Sequence, residues 1–432
     1  MIQANCSKSP AEGLTSNGTS AGGRIAEGVE QNRTDTRSSE RESDLRQSEN
    51  PASSNGDHKL PIQVGADRID QYLPLLQGKR IALVVNQTSM VGETHLVDTL
   101  LALGQNIAHL FAPEHGFRDM ASAGETIDDS RDSLTGLRII SLYGSKKEPS
   151  NEDLAGVDLI IFDIQDVGVR FYTYISTLHY VIRAAARTQT PVLVLDRPNP
   201  NGQLVDGPVM ESGYTSFVGI HTGVPVLHGM TVGEYALMTN GEGWLGEGLK
   251  ADLQVITCAH YRRSMTYELP TPPSPNLPNQ RSIYLYPSLC FFEGTSASIG
   301  RGTDMQFQVI GHPDWPSEKS DVVFTPEPNS GSRYPKLEGE LCHGWNYTTD
   351  SADSWRAGGF SRLRVAPLIE WSNQLGADAF FSRISHFDRL AGSDALRTQI
   401  SSGMEEADIQ ASWTTGLEAF LNIRKQYLLY GE

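Results

Sequence analysis

Four cysteines in 432 residues, Cys6, Cys258, Cys290 and Cys342, are too few and too widely spaced to form a framework. None stands in a C-x-x-C pair and none has histidines at zinc-site spacing, which disfavours both a disulfide scaffold and a structural zinc. Long apolar runs are missing too. Stretches such as Ile81–Val85 and Leu193–Leu195 fall far short of the roughly 20 residues a membrane-spanning helix needs. Basic residues are in deficit, 35 Lys and Arg against 52 Asp and Glu, for a net charge of −17. That balance disfavours nucleic acid as a partner, because a phosphate backbone needs a basic face, but a single well-placed arginine still suffices for an anionic small ligand. Aromatic residues are absent before Tyr72. Residues 1–58 are instead rich in Ser, Asn, Gly, Glu and Arg and read as a disordered low-complexity leader, too polar to offset the entropy of ordering. The leader has no apolar segment of the signal-peptide kind, and Met1–Cys6 has a lipoprotein-like cysteine without the apolar run that cleavage would require.

Residues 59–432 supply enough material for two domains. Arg80–Asn86, Asn106–Ala112, Leu137–Tyr143, Val157–Asp163 and Pro191–Asp196 read as strands, and the first is a near-continuous apolar run of the kind buried on both faces. Val91–Leu103, closed by Gly104, and Tyr172–Arg187 carry helical spacing. The alternation predicts an α/β domain with a mostly parallel, Rossmann-like sheet over 59–270. The proline-dense segment 270–278 then marks either a linker or a rigid wall, and 271–432 reads as a smaller mixed α+β domain. Its last element is an amphipathic helix with Leu417, Phe420, Leu421, Arg424, Tyr427 and Leu428 on one stripe.

Four strand ends carry polar groups: Asn86-Gln-Thr88, Pro113-Glu114-His115-Gly116, Asp163-Ile-Gln165-Asp166 and Asp196-Arg197-Pro-Asn199. Ligands bind at the carboxyl edge of parallel sheets, so these four together mark a site, although each alone is equally a cap or a loop hydrogen bond. A Gly- and Ser-rich loop, Phe292–Asp304, adds Glu293, Arg301 and Asp304. The alternative for that loop is an ordinary turn with a surface Arg–Asp pair. G-x-G-x-x-G after the first strand, G-x-x-x-x-G-K-[ST], G-x-S-x-G and H-E-x-x-H are all missing. The remaining chemistry is that of carboxylates among Arg, Asn, Tyr and His, the kit of a glycosidase.

Several blocks resemble one family. Phe111–Arg118, Phe162–Tyr174, Leu195–Gly202, Ser216–His221, His228–Glu234, Pro272–Asn276 and Gly300–Asp304 are similar, in order, to the signature segments of exo-β-N-acetylmuramidases of NamZ type. The resemblance implies a Rossmann-like domain followed by a smaller one, with the site in a cleft between them. It implies release of N-acetylmuramic acid from the non-reducing end of peptidoglycan fragments such as muropeptides or MurNAc-GlcNAc, without metal or organic cofactor. Glu114 matches the family's proposed catalytic carboxylate and is expected to act as general acid, its pKa raised by burial, with His115 either positioning it or capping the following turn. Asp163, Asp166 or Asp196 would supply the second carboxylate. Arg170 or Arg301 would grip the lactyl carboxylate, and Tyr172, Asn199 and Asn201 would bind hydroxyls or the acetamido group. Asn86, Arg118, Gln165, Arg197, Glu293 and Asp304 complete the expected substrate contacts. The chain departs from the family pattern at Asp119, followed by Met120, where glycine is usual; a carboxylate there would raise the pKa of Glu114 or repel an anionic sugar. The family is usually exported, which points to the periplasm or the cell exterior, with the cytoplasm as alternative because the leader carries no export signal. The competing function is a wall-fragment-binding protein that has kept the cleft and lost turnover.

Overall fold

β1 (Arg80–Val85) has Ala82 and Val84 in one apolar cluster and Ile81, Leu83 and Val85 in another, so both of its faces are covered. Only a strand inside a sheet layered on both sides can bury itself this way. The computed structural model, which describes residues 60–118, 130–349 and 362–432, gives it that place. After it come the short hairpin of β2 (Met90–Val91) and β3 (Thr94–His95), then β4 (Asn106–Ala112), β5 (Ser130–Arg131), β6 (Arg138–Ser141), β7 (Leu159–Asp163) and β8 (Val192–Leu195). An antiparallel pair, β9 (Asp206–Val209) and β10 (Pro225–Leu227), precedes β11 (Leu253–Ile256).

The main sheet runs β11-β8-β7-β1-β4-β6-β5, parallel except at the β5–β6 edge. Its six parallel strands have the doubly wound order 3-2-1-4-5-6, reversing between β1 and β7. Helices α1 (Ile69–Leu76) and α2 (Leu96–Ala102) cover one face, while α3 (Tyr174–Thr188) and α4 (Val232–Gly241) cover the other. Thr231 caps α4 in a reciprocal arrangement with Glu234, satisfying two of the helix's free amides.

The C-terminal region has a small antiparallel sheet in the order β12-β14-β13, made of β12 (Val309–His312), β13 (Val322–Phe324) and β14 (Cys342–Asn346). Helix α5 (Gln280–Leu289) and six short helices between Ala366 and Arg424 surround it. Trp315 and Trp371 stack at its centre, with ring centroids 3.9 Å apart. The architecture is thus a large, mostly parallel sheet with helices plus a smaller antiparallel part, as the sequence pattern implied. Among the described residues no helix is long and apolar enough to cross a membrane, and Cys258, Cys290 and Cys342 are free, buried thiols.

Two local expectations differ. The helix expected from Val91 starts at Leu96, because Gly92 takes φ +55° and turns the chain into the β2–β3 hairpin first. The last helix, Thr414–Arg424, ends before Tyr427 and Leu428, and its buried stripe is Phe420 and Arg424, with Leu421 exposed. The reading of 1–58 as a disordered leader, with its Met1–Cys6 cysteine, lies outside the described residues, as do Asp119 and Met120.

Candidate active site

The loops after β4, β6 and β7 meet the proline segment, α5, the loop carrying Phe217, and the helix Ile384–Ala391 around one cavity of about 490 Å³. Its walls mix carboxylates, cations and aromatic rings, including Glu114, Glu293, Arg301, Lys147, Tyr143 and Tyr172.

Glu114 sits in the turn that ends β4, closed by a 3.1 Å hydrogen bond from Gly116 N–H to the Pro113 carbonyl. The next residue, His115, is buried and held at φ +73°. A non-glycine residue in that region is strained, and such strain tends to be retained where side chains must be aimed. Glu114 is half-buried and faces the cavity. Thr173 stands at the N-cap position of α3 but does not cap its own helix; its hydroxyl donates to Glu114 Oε2 at 2.8 Å instead. A residue type that normally serves the helix end is diverted to the carboxylate. Tyr143 lies beside the same carboxylate, and burial together with that charge pushes its phenol up, so it stays protonated.

The facing wall is rigid. Tyr172 and Tyr174 donate their hydroxyls to the Pro273 carbonyl at 2.8 and 3.2 Å, and Gln87 Nε2 donates to the carbonyls of Pro272 and Pro273. Ser274, Asn276 and Leu277 then line the cavity, so the proline segment is a wall rather than a loose linker. Beyond it, Arg301 is ion-paired with Glu293 and lies over the Phe307 ring, 5.1 Å from its centroid. Burial opposes the charge on Glu293, yet Arg301 and Lys336 hold its carboxyl below the usual range. Burial keeps His386 below the usual histidine range, so it enters the cavity as a neutral imidazole. Lys147 projects over the Phe217 ring at 4.8 Å and makes no ion pair among the described residues.

Of the residues expected from sequence, Glu114, His115, Tyr172, Glu293 and Arg301 line this cavity. The others are placed elsewhere. Asp163, at the carboxyl end of β7 beside β1, where doubly wound sheets usually take ligands, is fully buried in a two-pronged pair with Arg197, at 2.6 and 2.9 Å. Asn86 turns its side chain back on Thr88 there, and the Thr88 hydroxyl accepts from Gln165 N–H. Gln165 donates to the carbonyls of Asp166 and Pro198. Asp166 accepts from Gly168 N–H at 2.6 Å, and burial raises its carboxyl to about 7. Asp196 accepts from Thr231, Gly233 and Tyr430; burial raises it to about 6 against those hydrogen bonds. Arg170 is fully buried and donates to the carbonyls of Pro208, Val224 and Leu390. Arg118 pairs with Asp98 and Asp132, Asn199 donates to the Met230 carbonyl, and Asn201 to that of Val167. Asp304 is exposed and does not line the cavity.

Sequence reasoning missed Tyr143, Lys147, Thr173, Phe217, Tyr286 and His386. For Tyr143 and Lys147 the signal existed, since they follow the carboxyl end of a parallel strand. Tyr286 and His386 carry no motif and reach the cavity only through tertiary packing. Among the described residues no cluster of three or more His, Cys, Asp or Glu could hold a metal ion.

A Rossmann-ordered sheet whose edge loops bring Glu114, Lys147 and tyrosines to one polar, aromatic-walled cavity, completed by Glu293 and Arg301 from beyond residue 270, has the equipment of a glycoside hydrolase. Residues 81–281 match the amino-terminal and residues 284–430 the carboxy-terminal part of exo-beta-N-acetylmuramidase NamZ, and the chain belongs to that family. It is 37% identical over 409 residues to the peptidoglycan beta-N-acetylmuramidase NamZ of Bacillus subtilis, covering 89% of this chain and 95% of that protein. Two DUF1343 family crystal structures from Bacteroides fragilis share the fold. One is 43% identical with a TM-score of 0.78 and covers 86% of this chain and all of its own; the other is 30% identical at 0.73, covering 85% and 99%.

Proposed function

We propose that the cavity hydrolyses the bond to a non-reducing terminal β-linked N-acetylmuramyl residue of peptidoglycan, with Glu114 as general acid. In this reading the cavity is the cleft between residues 59–270 and 271–432, and the chain shares the activity for which the Bacillus relative is named. The observation that carries the proposal is the seating of Glu114: half-exposed in the cavity, fixed by Thr173, beside the protonated Tyr143.

The proton on Glu114 passes to the glycosidic oxygen as the bond to the anomeric carbon breaks, and an oxocarbenium-like centre develops. Among the described residues the only other carboxylate lining the cavity is Glu293, which is neutralised by Arg301 and Lys336. The 2-acetamido oxygen of the substrate is therefore assigned as the nucleophile, and Glu114 in its deprotonated form then takes a proton from the incoming water. With Arg170 committed to three carbonyls and Arg301 to Glu293, Lys147 is the cation of the cavity left to meet the lactyl carboxylate.

Glu114→Gln keeps the shape and the acceptor for Thr173 but has no proton to give. It should lose at least about a hundredfold in kcat on 4-nitrophenyl β-N-acetylmuramide while unfolding at the wild-type temperature. Turnover close to wild type would remove Glu114 from the mechanism.

A further inference from the structure

A second cavity of about 380 Å³ adjoins the first and shares two residues with it, Glu293 and Arg301. Nothing in the proposed hydrolysis uses it. Its lining is chemically distinct: hydroxyls from Ser296, Ser332 and Ser382, the ring of Tyr334, and the guanidinium of Arg383. Tyr334 is 88% exposed. A single exposed aromatic is ordinary on a surface, but this one stands at a hydroxyl-rich cavity that continues the candidate active site. Arg383 is exposed and makes no ion pair among the described residues, and the cavity's one carboxylate, Glu293, is already taken by Arg301.

The remaining cation has another task. Lys336 donates to the carbonyls of Phe292, Thr295 and Ala297 at 2.8, 2.6 and 2.8 Å, which uses every N–H of its ammonium. It fixes the strip between the two cavities rather than offering a contact. The second cavity thus presents a flat apolar face, several hydroxyls and one free guanidinium on a backbone fixed in advance. That combination suits a sugar ring, stacked on Tyr334 and hydrogen-bonded at its edge, with an acidic substituent within reach of Arg383.

We propose that this second cavity binds the glycan that continues beyond the scissile bond, on the leaving-group side, and so favours strands over isolated terminal sugars. The inference rests on the muramidase reading of the first cavity. Contacts remote from the reacting atoms then contribute to kcat/KM only for substrates long enough to reach them.

The test compares 4-nitrophenyl β-N-acetylmuramide, which has no sugar on that side, with the peptide-free tetrasaccharide of two MurNAc-GlcNAc repeats. In Tyr334→Ala, the ratio of kcat/KM for the tetrasaccharide to that for the aryl glycoside should fall roughly tenfold, and Arg383→Ala should lower the same ratio. An unchanged ratio in both variants overturns the proposal. A change that appears only when the substrate carries a stem peptide assigns the cavity to peptide and overturns it as well. Failure of the muramidase reading looks different, since the wild-type protein would then turn over neither substrate.

Discussion

At the scale of single residues, the diverted hydroxyl of Thr173 is the most consequential contact. A hydrogen bond contributes about 0.5–1.5 kcal/mol net, more when its partner is charged, and in the proposed mechanism this one orients the carboxyl that gives up the proton. Thr173→Val keeps the volume and removes the bond; kcat should drop roughly tenfold or more with KM little changed. A purely structural role would instead move the unfolding temperature and leave kcat alone. Asp166 makes a separate claim. Its carboxyl, raised to about 7 by burial, faces a His228 ring that burial lowers to about 3, with 4.0 Å between Oδ2 and Nε2. From about pH 4 to pH 7 the folded chain keeps a proton that the unfolded chain has released, so this group's contribution is present at low pH and is lost as the pH rises through 7. Asp166→Asn is neutral throughout and retains an acceptor for Gly168 N–H. Its unfolding temperature relative to wild type should therefore be higher at pH 8 than at pH 5, and a pH-independent difference would contradict the assignment. Strand-end polarity located Glu114 and His115 in the sequence, but it equally marked Asp163, Asp166 and Asp196, because a carboxylate that closes a sheet edge reads the same as one that faces a cavity. Only the partners distinguish them, and those partners lie as much as 234 residues away, as Tyr430 does from Asp196.

At the scale of elements, the final residues of the chain act as a clasp. Tyr430 donates to Asp196 Oδ2 at 2.6 Å and accepts from Cys258 N–H at 2.8 Å, so one phenol ties the ends of β8 and β11 together. Leu429 N–H donates to Glu234, which also pairs with the buried Arg263 at 2.7 Å. Tyr430→Phe would leave a buried carboxyl and a buried amide each short of a partner, at a cost of about 1–3 kcal/mol in denaturant unfolding. Periodicity identified β1, β4, β6, β7 and β8, because burial on both faces gives a continuous apolar run, but not β11 at the sheet's edge, whose burial is partial. It was weaker where a glycine interrupts, as at Gly92, and at the last helix, whose pattern continues past Arg424 into residues that pack without helical backbone.

At the scale of the whole molecule, the fold class was legible from strand–helix alternation, whereas the location of the cavity was not. In doubly wound sheets the ligand usually enters where strand order reverses, and here Asp163 at that end of β7 is buried in its pair with Arg197 and does not line the cavity. The cavity lies over the loops after β4, β6 and β7, and its far wall comes from residues beyond 270. The surplus of acid over base also acquires a local meaning. A chain of net charge −17 repels an anionic sugar at a distance, so the substrate capture proposed above rests on a local cation, Lys147, at the cavity wall.

The clasp at Tyr430 also bears on how the protein is made. Asp196 and Cys258 leave the ribosome well before the residue that completes their hydrogen bonds, and Arg263, whose backbone N–H donates to the Gly431 carbonyl, waits for the same few residues. The large sheet can collapse during synthesis, but its β8–β11 edge reaches its final hydrogen bonding only once residues 429–431 have joined it. Completion of the α/β core in this sense waits on residues as much as 234 positions further along the chain, and a chain stalled short of Leu429 would carry a sheet with Asp196 and Cys258 still short of a partner.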